Sequence, residues 1–223
     1  DAKVRVIDAD AHVIENEHTW DYLLSHEERF RPRLFVSPEN PDHGYWVIDG
    51  KIRGHRNPTA SEEQLRAHSA VVGRDLVSKR SSRELTDVSE RLRHMNELGI
   101  DTQIIHNTLW IQPVTDKPDE DVALCGSWNR WMAEVWRESS GRLRWCAVMP
   151  TLDIAASVEQ VRFAKEHGAA AVAMRPFEGG RALADAYFYP IYAEAERQNL
   201  AIAVHIANGS GEMLRLMSSS FDR

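Results

Sequence analysis

The sequence has little cysteine and no long apolar run. Its 223 residues include two cysteines, Cys125 and Cys146, and both stand in apolar patterns typical of a helix or a strand. We therefore predict buried thiols rather than a disulfide, and a reducing cytoplasm as the location. The longest apolar runs, such as residues 169–174, are far shorter than the ~18 residues that span a bilayer, and no charged-then-apolar leader precedes Val4. We expect an unexported protein with no membrane partner.

Basic residues are in the minority. Lys and Arg number 27 against 34 Asp and Glu, which gives a formal net charge of -7, and the basic residues are scattered between carboxylates. The basic residues form no cluster that could bind nucleic acid, so the expected partner is a small-molecule substrate. With 43% hydrophobic residues the chain can bury one core, and we expect one domain over residues 1–223.

The apolar pattern predicts strands that alternate with helices. Short β-branched runs stand at residues 4–7, 102–106, 144–149, 170–174 and 200–205. Helical spacing fills the intervals, and Gly99, Gly168 and Asn199 stand where a helix needs a left-handed cap before the next strand. Alternation of this kind predicts an α/β fold, with a parallel sheet or a TIM-like (β/α) barrel. The 223 residues fall short of the ~250 of a complete eight-stranded barrel.

Two segments depart from this alternation. Residues 37–82 form a long polar stretch in which Asp49-Gly50 stands between two extended runs, as in a two-residue hairpin turn. We expect this insertion to lie over the mouth of the barrel. A later segment carries Trp128 and Trp131 at helical spacing, which favours packing against the barrel and leaves contact with substrate as the alternative.

The first strand runs into acidic and imidazole side chains at every second position. Alternation places Asp8, Asp10 and His12 on one face, and the carboxyl ends of barrel strands are where that fold holds its active sites. His205 ends the fifth apolar strand and adds a second imidazole at the same end. We predict that Asp10, His12 and His205 bind a divalent metal, zinc or manganese or else iron, because carboxylate oxygen and neutral imidazole nitrogen suit these ions.

Three further side chains are candidates, each with an alternative. Glu15 could be a metal ligand, a hydrogen-bond acceptor behind a ligand, or an exposed carboxylate at a helix start. His106 ends the second strand and is expected either to bind substrate or to be a buried, hydrogen-bonded histidine. Arg175 ends the fourth strand, where it either pairs with a substrate carboxylate or ties a loop carboxylate of the protein itself.

Motifs spread along nearly the whole chain carry a family resemblance. They are Ile7-Asp8-Ala9-Asp10-Ala11-His12, residues 91–101, Trp128-Asn129-Arg130-Trp131, Gly141-Arg142-Leu143 with Met149-Pro150, residues 168–176, and residues 190–195 leading to His205. In this order they resemble the metal-dependent amidohydrolase superfamily, in the branch of aminocarboxymuconate semialdehyde decarboxylase and γ-resorcylate decarboxylase. The resemblance implies a barrel whose divalent metal is held by the first-strand pair, the fifth-strand histidine and an aspartate near the last strand.

The sequence departs from that pattern at three points. Strands six to eight, about 100 residues at roughly 30 per βα unit, are missing after His205, so the last aspartate and the catalytic proton-transfer residues are expected beyond Arg223. Asp10 stands where many relatives have a histidine, as in the acidic-x-His decarboxylases. The fourth strand ends in Arg175 rather than the carboxylated lysine of binuclear relatives.

The resemblance implies a metal-dependent decarboxylase, which is a carbon–carbon lyase, or a hydrolase that acts on a small carboxylated substrate such as an aromatic-derived acid. A binuclear iron or manganese oxygen-activating enzyme on the same scaffold is a second hypothesis, which Glu15 and His106 would support as additional ligands. A third is a non-catalytic subunit that completes or regulates a partner barrel. We expect a homo-oligomer or pairing with a homologous subunit.

Overall fold

The computed structural model describes residues 4–56, 60–73, 75–178 and 180–205. The strands in chain order are β1 (Ile7–His12), β2 (Arg33–Ser37), β3 (Asn40–Ile48), β4 (Lys51–Arg56), β5 (Thr102–His106), β6 (Leu143–Ala147), β7 (Ala171–Met174), β8 (Phe177–Glu178), β9 (Arg181–Ala182) and β10 (Ala201–Val204). The helices are α1 (Glu62–Val72), α2 (Arg80–Arg83), α3 (Val88–Glu97), α4 (Pro118–Glu138), α5 (Ile154–Glu166) and α6 (Tyr189–Arg197).

The main sheet is a curled, parallel wall of five strands in the order β1-β5-β6-β7-β10. Helices α3, α4, α5 and α6 each precede the next strand of this sheet, so the chain repeats a right-handed strand and helix unit. This confirms the α/β fold class: the described residues form part of a TIM-like barrel. Because all five strands are parallel, their carboxyl ends lie along the same edge of the sheet.

The first strand lies further along the chain than the apolar run predicts. It covers Ile7–His12 rather than residues 4–7, because backbone pairing with β5 runs from Ile7 opposite Thr102 to His12 opposite His106 whatever the polarity of the side chains. The register shifts between Asp8 and Ala11, so the period-two alternation is interrupted there. Strands β1 and β10 are also more exposed than predicted, since each is an outer strand with one neighbour in the described sheet.

The helix ends match the sequence prediction. Gly99, Gly168 and Asn199 have φ values of 70°, 81° and 50°, the left-handed conformation that ends a helix and turns the chain into the next strand. At Gly168 the chain also needs the absence of a side chain, because a Cβ atom there would stand 2.1 Å from Cε2 of Trp136. Close packing of α4 on this turn therefore requires glycine.

The insertion contains a three-stranded antiparallel sheet in the order β2-β3-β4. The hairpin at Asp49-Gly50 is confirmed, with φ values of 52° and 68° that fit a type I′ turn. The sheet begins at Arg33, before the predicted start of the insertion. It packs on the segment after β5, residues 107–112. A Cβ added to Gly54 would stand 2.5 Å from Cδ1 of Leu109, so the Leu109 side chain lies directly against the Gly54 backbone. That segment follows the carboxyl end of β5.

A row of tryptophan rings joins the insertion to the barrel core. Ring centroids lie 5.5 Å apart for Trp46 and Trp20, 6.0 Å for Trp20 and Trp110, 6.3 Å for Trp110 and Trp128, and 6.1 Å for Trp128 and Trp145. All five rings are buried. The prediction that Trp128 packs in the core is confirmed, and the row fixes the insertion against the wall that carries β5 and β6.

The two cysteines are free and buried, as predicted. Cys125 lies on α4 and Cys146 on β6, and burial raises the pKa of the Cys146 thiol to about 12. Among the described residues, no helix is both long enough and apolar enough to pass through a lipid bilayer.

Candidate metal centre

Three side chains predicted as ligands come together at the carboxyl end of the barrel wall. Asp10 and His12 lie in β1, and His205 directly follows β10, where its backbone N–H donates to Met174 at 3.1 Å. Oδ1 of Asp10 stands 3.5 Å from Nε2 of His12 and 3.6 Å from Nε2 of His205. One ligand atom from each residue lies within 4.8 Å of the others. Residues almost two hundred positions apart thus meet at one point.

The donor set and its spacing suit a divalent cation. Ligands at ~2.1 Å in a tetrahedral arrangement lie about 3.4 Å from one another, which agrees with the two measured separations. One carboxylate oxygen and two imidazole nitrogens match the preferences of zinc, manganese and iron. The Asp10 side chain is 79% exposed, His12 37% and His205 24%, so a cation and a substrate can reach them. Within the described ranges no further His, Cys, Asp or Glu joins the group.

A backbone carbonyl orients His12. The ring nitrogen Nδ1 of His12 lies 3.0 Å from the carbonyl oxygen of Asn107, which can only accept, so Nδ1 carries the proton and Nε2 is left to coordinate. Histidines that bind metals are commonly held in this way. Asn107 was not among the residues predicted from the sequence, because it acts through its backbone and its side-chain type gives no signal.

His106 lies beside the group but outside it. Its ring centroid is 5.7 Å from that of His12 and 5.2 Å from that of His205. Nε2 donates to the carbonyl of Ala9 at 3.0 Å and also lies 3.6 Å from Sγ of Cys146, while burial lowers the pKa of the ring. His106 is therefore a buried, hydrogen-bonded histidine, which was one of the two alternatives that the sequence left open. Its Ala9 bond holds the irregular part of β1.

Glu15 does not join the metal group, contrary to one of its sequence interpretations. The side chain is 3% exposed and turns toward the segment after β5, where its carboxylate accepts from the amides of Thr108 at 2.9 Å and Leu109 at 3.0 Å. Nε1 of Trp128 donates to it at 3.1 Å. Burial raises the pKa of Glu15 to about 7. Three donors therefore occupy the carboxylate, and its role is to fix this segment.

Arg175 lies at the end of β7 and pairs with a carboxylate of the protein. Its guanidinium contacts Glu178, and Nη1 donates to the carbonyls of Trp110 at 3.0 Å and Gln112 at 3.1 Å. Glu178 is 3% exposed and also accepts from the hydroxyl of Thr151 at 3.1 Å. The structure shows the protein ion pair that was the alternative to substrate binding. A direct bond to substrate stays a prediction.

A cleft opens between the candidate ligands and this ion pair. Its walls are mainly apolar, with polar groups from Asn107, Arg175, Glu178 and His205. The lining is completed by Trp110, Ile111, Val148, Met149, Ala173 and Met174. An apolar cleft with a few polar groups beside a candidate metal site is the usual form of a small-molecule site. The Asp49-Gly50 hairpin supports one wall through the segment after β5; whether it narrows access stays a prediction.

Comparisons with solved structures place the fold. An amidohydrolase from Mycobacterium avium subsp. paratuberculosis K-10 is 18% identical with a TM-score of 0.72, over 100% of this chain and 63% of that chain. The 5-carboxyvanillate decarboxylase of Novosphingobium aromaticivorans DSM 12444, solved with bound manganese and 3-methoxy-4-hydroxy-5-nitrobenzoic acid, is 18% identical with a TM-score of 0.58, over 98% and 56%. A 2,6-dihydroxybenzoate decarboxylase from Rhizobium is 16% identical with a TM-score of 0.57, over 96% and 54%.

The chain thus spans a little over half to about two thirds of the length of these structures. A search of curated proteins gives no match. At these identities the structural likeness establishes the fold alone. A family model described as amidohydrolase matches residues 7–223, which is nearly the whole sequence. The chain therefore belongs to the amidohydrolase family.

Proposed function

We propose that the chain is part of a metal-dependent enzyme that removes carbon dioxide from, or hydrolyses, a small carboxylated substrate. The observation that carries the proposal is the convergence of Asp10, His12 and His205 within 4.8 Å at the carboxyl ends of β1 and β10. Membership of a family that generally depends on divalent metals supports it. Zinc, manganese and iron all remain candidates for the ion, since each accepts this donor set.

In this proposal each side chain has a separate task. Asp10, His12 and His205 hold the cation, and the carbonyl of Asn107 keeps the His12 proton on Nδ1. When bound, the cation supplies Lewis acidity that polarises a carboxylate or carbonyl oxygen of the substrate. Trp110 and other apolar side chains of the cleft exclude water from the reacting group. Proton transfer to carbon is assigned to no described residue.

The cleft favours a flat, partly apolar acid as substrate. Its apolar walls suit a ring, and the structurally similar decarboxylases act on carboxylated aromatic compounds according to their names. For Arg175 to take the carboxylate, the substrate must compete with Glu178. Arg175→Met should then weaken a carboxylated substrate by roughly 10- to 100-fold and leave a neutral analogue almost unchanged, since one charge-assisted pair is worth ~1.5 to 3 kcal/mol. An equal effect on both would make the ion pair purely structural.

Two other functions are less well supported. An oxygen-activating binuclear site would need additional ligands, and Glu15 and His106 make other hydrogen bonds in the structure. A non-catalytic subunit is the remaining alternative. The non-catalytic alternative would be favoured if the purified full protein bound no divalent cation.

Metal content and product analysis test the proposal. We expect about one divalent ion per chain in the wild type, and a loss of most of it in His12→Ala and His205→Ala. His18→Ala is the matched control, because His18 pairs with Asp21 on the surface and should keep the metal. Release of carbon dioxide from a panel of carboxylated aromatic compounds would mark a decarboxylase, whereas release of an acid from an amide or ester would mark a hydrolase. Wild-type metal content in both ligand variants would refute the proposal.

A further inference from the structure

A buried arginine lies behind the strand that carries two of the candidate ligands. Arg91 of α3 is 8% exposed, and its guanidinium reaches three acceptors. Nε donates to Oε1 of Gln103 at 2.7 Å, Nη1 to the carbonyl of Ser82 at 3.2 Å and Nη2 to the carbonyl of His12 at 3.3 Å. No carboxylate accepts directly from this buried cation in the described residues. Burying a charge is costly unless the charged group is hydrogen-bonded, and these three hydrogen bonds offset part of that cost.

Gln103 connects that cation to the start of the ligand strand. It is the second residue of β5 and is 6% exposed, and its amide group donates to Oδ2 of Asp8 at 2.9 Å. Oδ1 of Asp8 in turn accepts the backbone N–H of Asp10 at 3.2 Å. Arg91, Gln103 and Asp8 are thus linked in series, and the series ends on the backbone of one ligand while Arg91 also bonds to the backbone of the other.

The hydrogen bond between Asp8 and Asp10 lies where the pairing of β1 with β5 is irregular. Pairing of β1 with β5 shifts its register between Asp8 and Ala11, which changes the direction of the side chains that follow. Asp10 stands within this shift and still lies 3.5 Å from His12 and 3.6 Å from His205. Within this shift, the carboxylate of Asp8 accepts the backbone N–H of Asp10.

We infer that Arg91, Gln103 and Asp8 are positioning residues that set the separation of Asp10 and His12 for metal binding. They touch neither metal nor substrate; they act through the backbone of β1. The inference rests on the proposed metal site. Hydrogen-bond partners behind metal ligands are typically worth 10- to 100-fold in metal affinity. The sequence holds a weak signal of this network, a glutamine directly before the apolar pair Ile104 and Ile105 in β5.

Gln103→Glu is the sharpest variant. It keeps the size of the side chain and the bond to Arg91, but replaces the donor that faces Asp8 with an acceptor, so two carboxylates repel each other there. Arg91→Met removes the whole anchor. Arg142→Met is the matched control. Arg142 directly precedes β6, away from the candidate ligands, and it also donates to two backbone carbonyls and one side-chain amide oxygen, those of Asp101, Ile100 and Asn96.

The experiment titrates the full protein with Co²⁺ and follows the visible absorption of the ion, which reports ligand geometry, alongside the urea midpoint of unfolding. We expect Gln103→Glu and Arg91→Met to raise the Co²⁺ dissociation constant about 10- to 100-fold and to shift the spectrum. Arg142→Met should lower the urea midpoint of unfolding but leave both the Co²⁺ dissociation constant and the spectrum unchanged. If folded Gln103→Glu binds Co²⁺ with the wild-type constant and spectrum, the positioning role is wrong. If the wild type binds no Co²⁺, the proposed function itself fails.

Discussion

The carboxyl group of Glu15 gives the most specific prediction about stability. It is 3% exposed, and burial raises its pKa from the ordinary 4.5 to about 7, although three hydrogen bonds to the carboxylate act in the opposite direction. Because the folded state holds the proton more tightly than the unfolded state, the stabilising contribution is complete below pH 4.5. It is lost as the pH rises through about 7.

The magnitude follows from the two pKa values. The change from 4.5 to about 7 corresponds to about 3 kcal/mol of unfolding free energy, at roughly 1.4 kcal/mol per pH unit. Glu15→Gln removes this titration. The amide offers one oxygen where the carboxylate has two, so one of the donors from Thr108, Leu109 and Trp128 loses its acceptor, at a cost of ~1 to 3 kcal/mol that does not vary with pH.

Urea unfolding of the wild type and of Glu15→Gln at pH 4.5, 6, 7 and 8 measures the effect. Subtracting the two free energies at each pH cancels the titration of every other group. The wild type should lose about 3 kcal/mol relative to the variant between the lowest and highest pH. A difference that is constant with pH, or one that moves in favour of the wild type, would refute the assignment of Glu15 as a buried carboxyl group with a raised pKa.

Three further predictions concern the packing around the site. Gly168→Ala should destabilise the fold by about 2 to 5 kcal/mol in thermal or urea unfolding, because φ is 81° and the added Cβ would meet Trp136; a neutral effect would contradict the close packing. Cys146, whose pKa burial raises to about 12, should not react with a thiol reagent at pH 8 until urea unfolds the protein. Arg175→Met should cost about 3 to 5 kcal/mol by leaving Glu178 buried without its partner, and the additional change Glu178→Gln should recover most of it.

Much of the wall can be predicted from local patterns. Strands and helices follow from the spacing of apolar residues, and their ends from Gly99, Gly168 and Asn199, because both depend on residues close together in the sequence. The grouping of Asp10, His12 and His205 follows from one rule of parallel sheets, that the carboxyl ends of the strands share a side.

The roles of the polar residues around the site could not be predicted in the same way. Glu15 is occupied by donors more than 90 positions away, and Gln103 bonds to Asp8 across 95 positions. Such partners are fixed by tertiary packing, which no local pattern encodes. Arg175 is different, because its partner Glu178 lies three residues further on, so the ion pair was visible as an alternative in the sequence.

Crystals of the full protein grown with Mn²⁺ and measured at the manganese absorption edge test the central claim most directly. The account predicts one anomalous peak bounded by the carboxylate of Asp10 and by Nε2 of His12 and of His205, at ~2.0 to 2.2 Å from each. The absence of a peak between these three side chains, or a peak coordinated instead by groups such as Glu15, would contradict it.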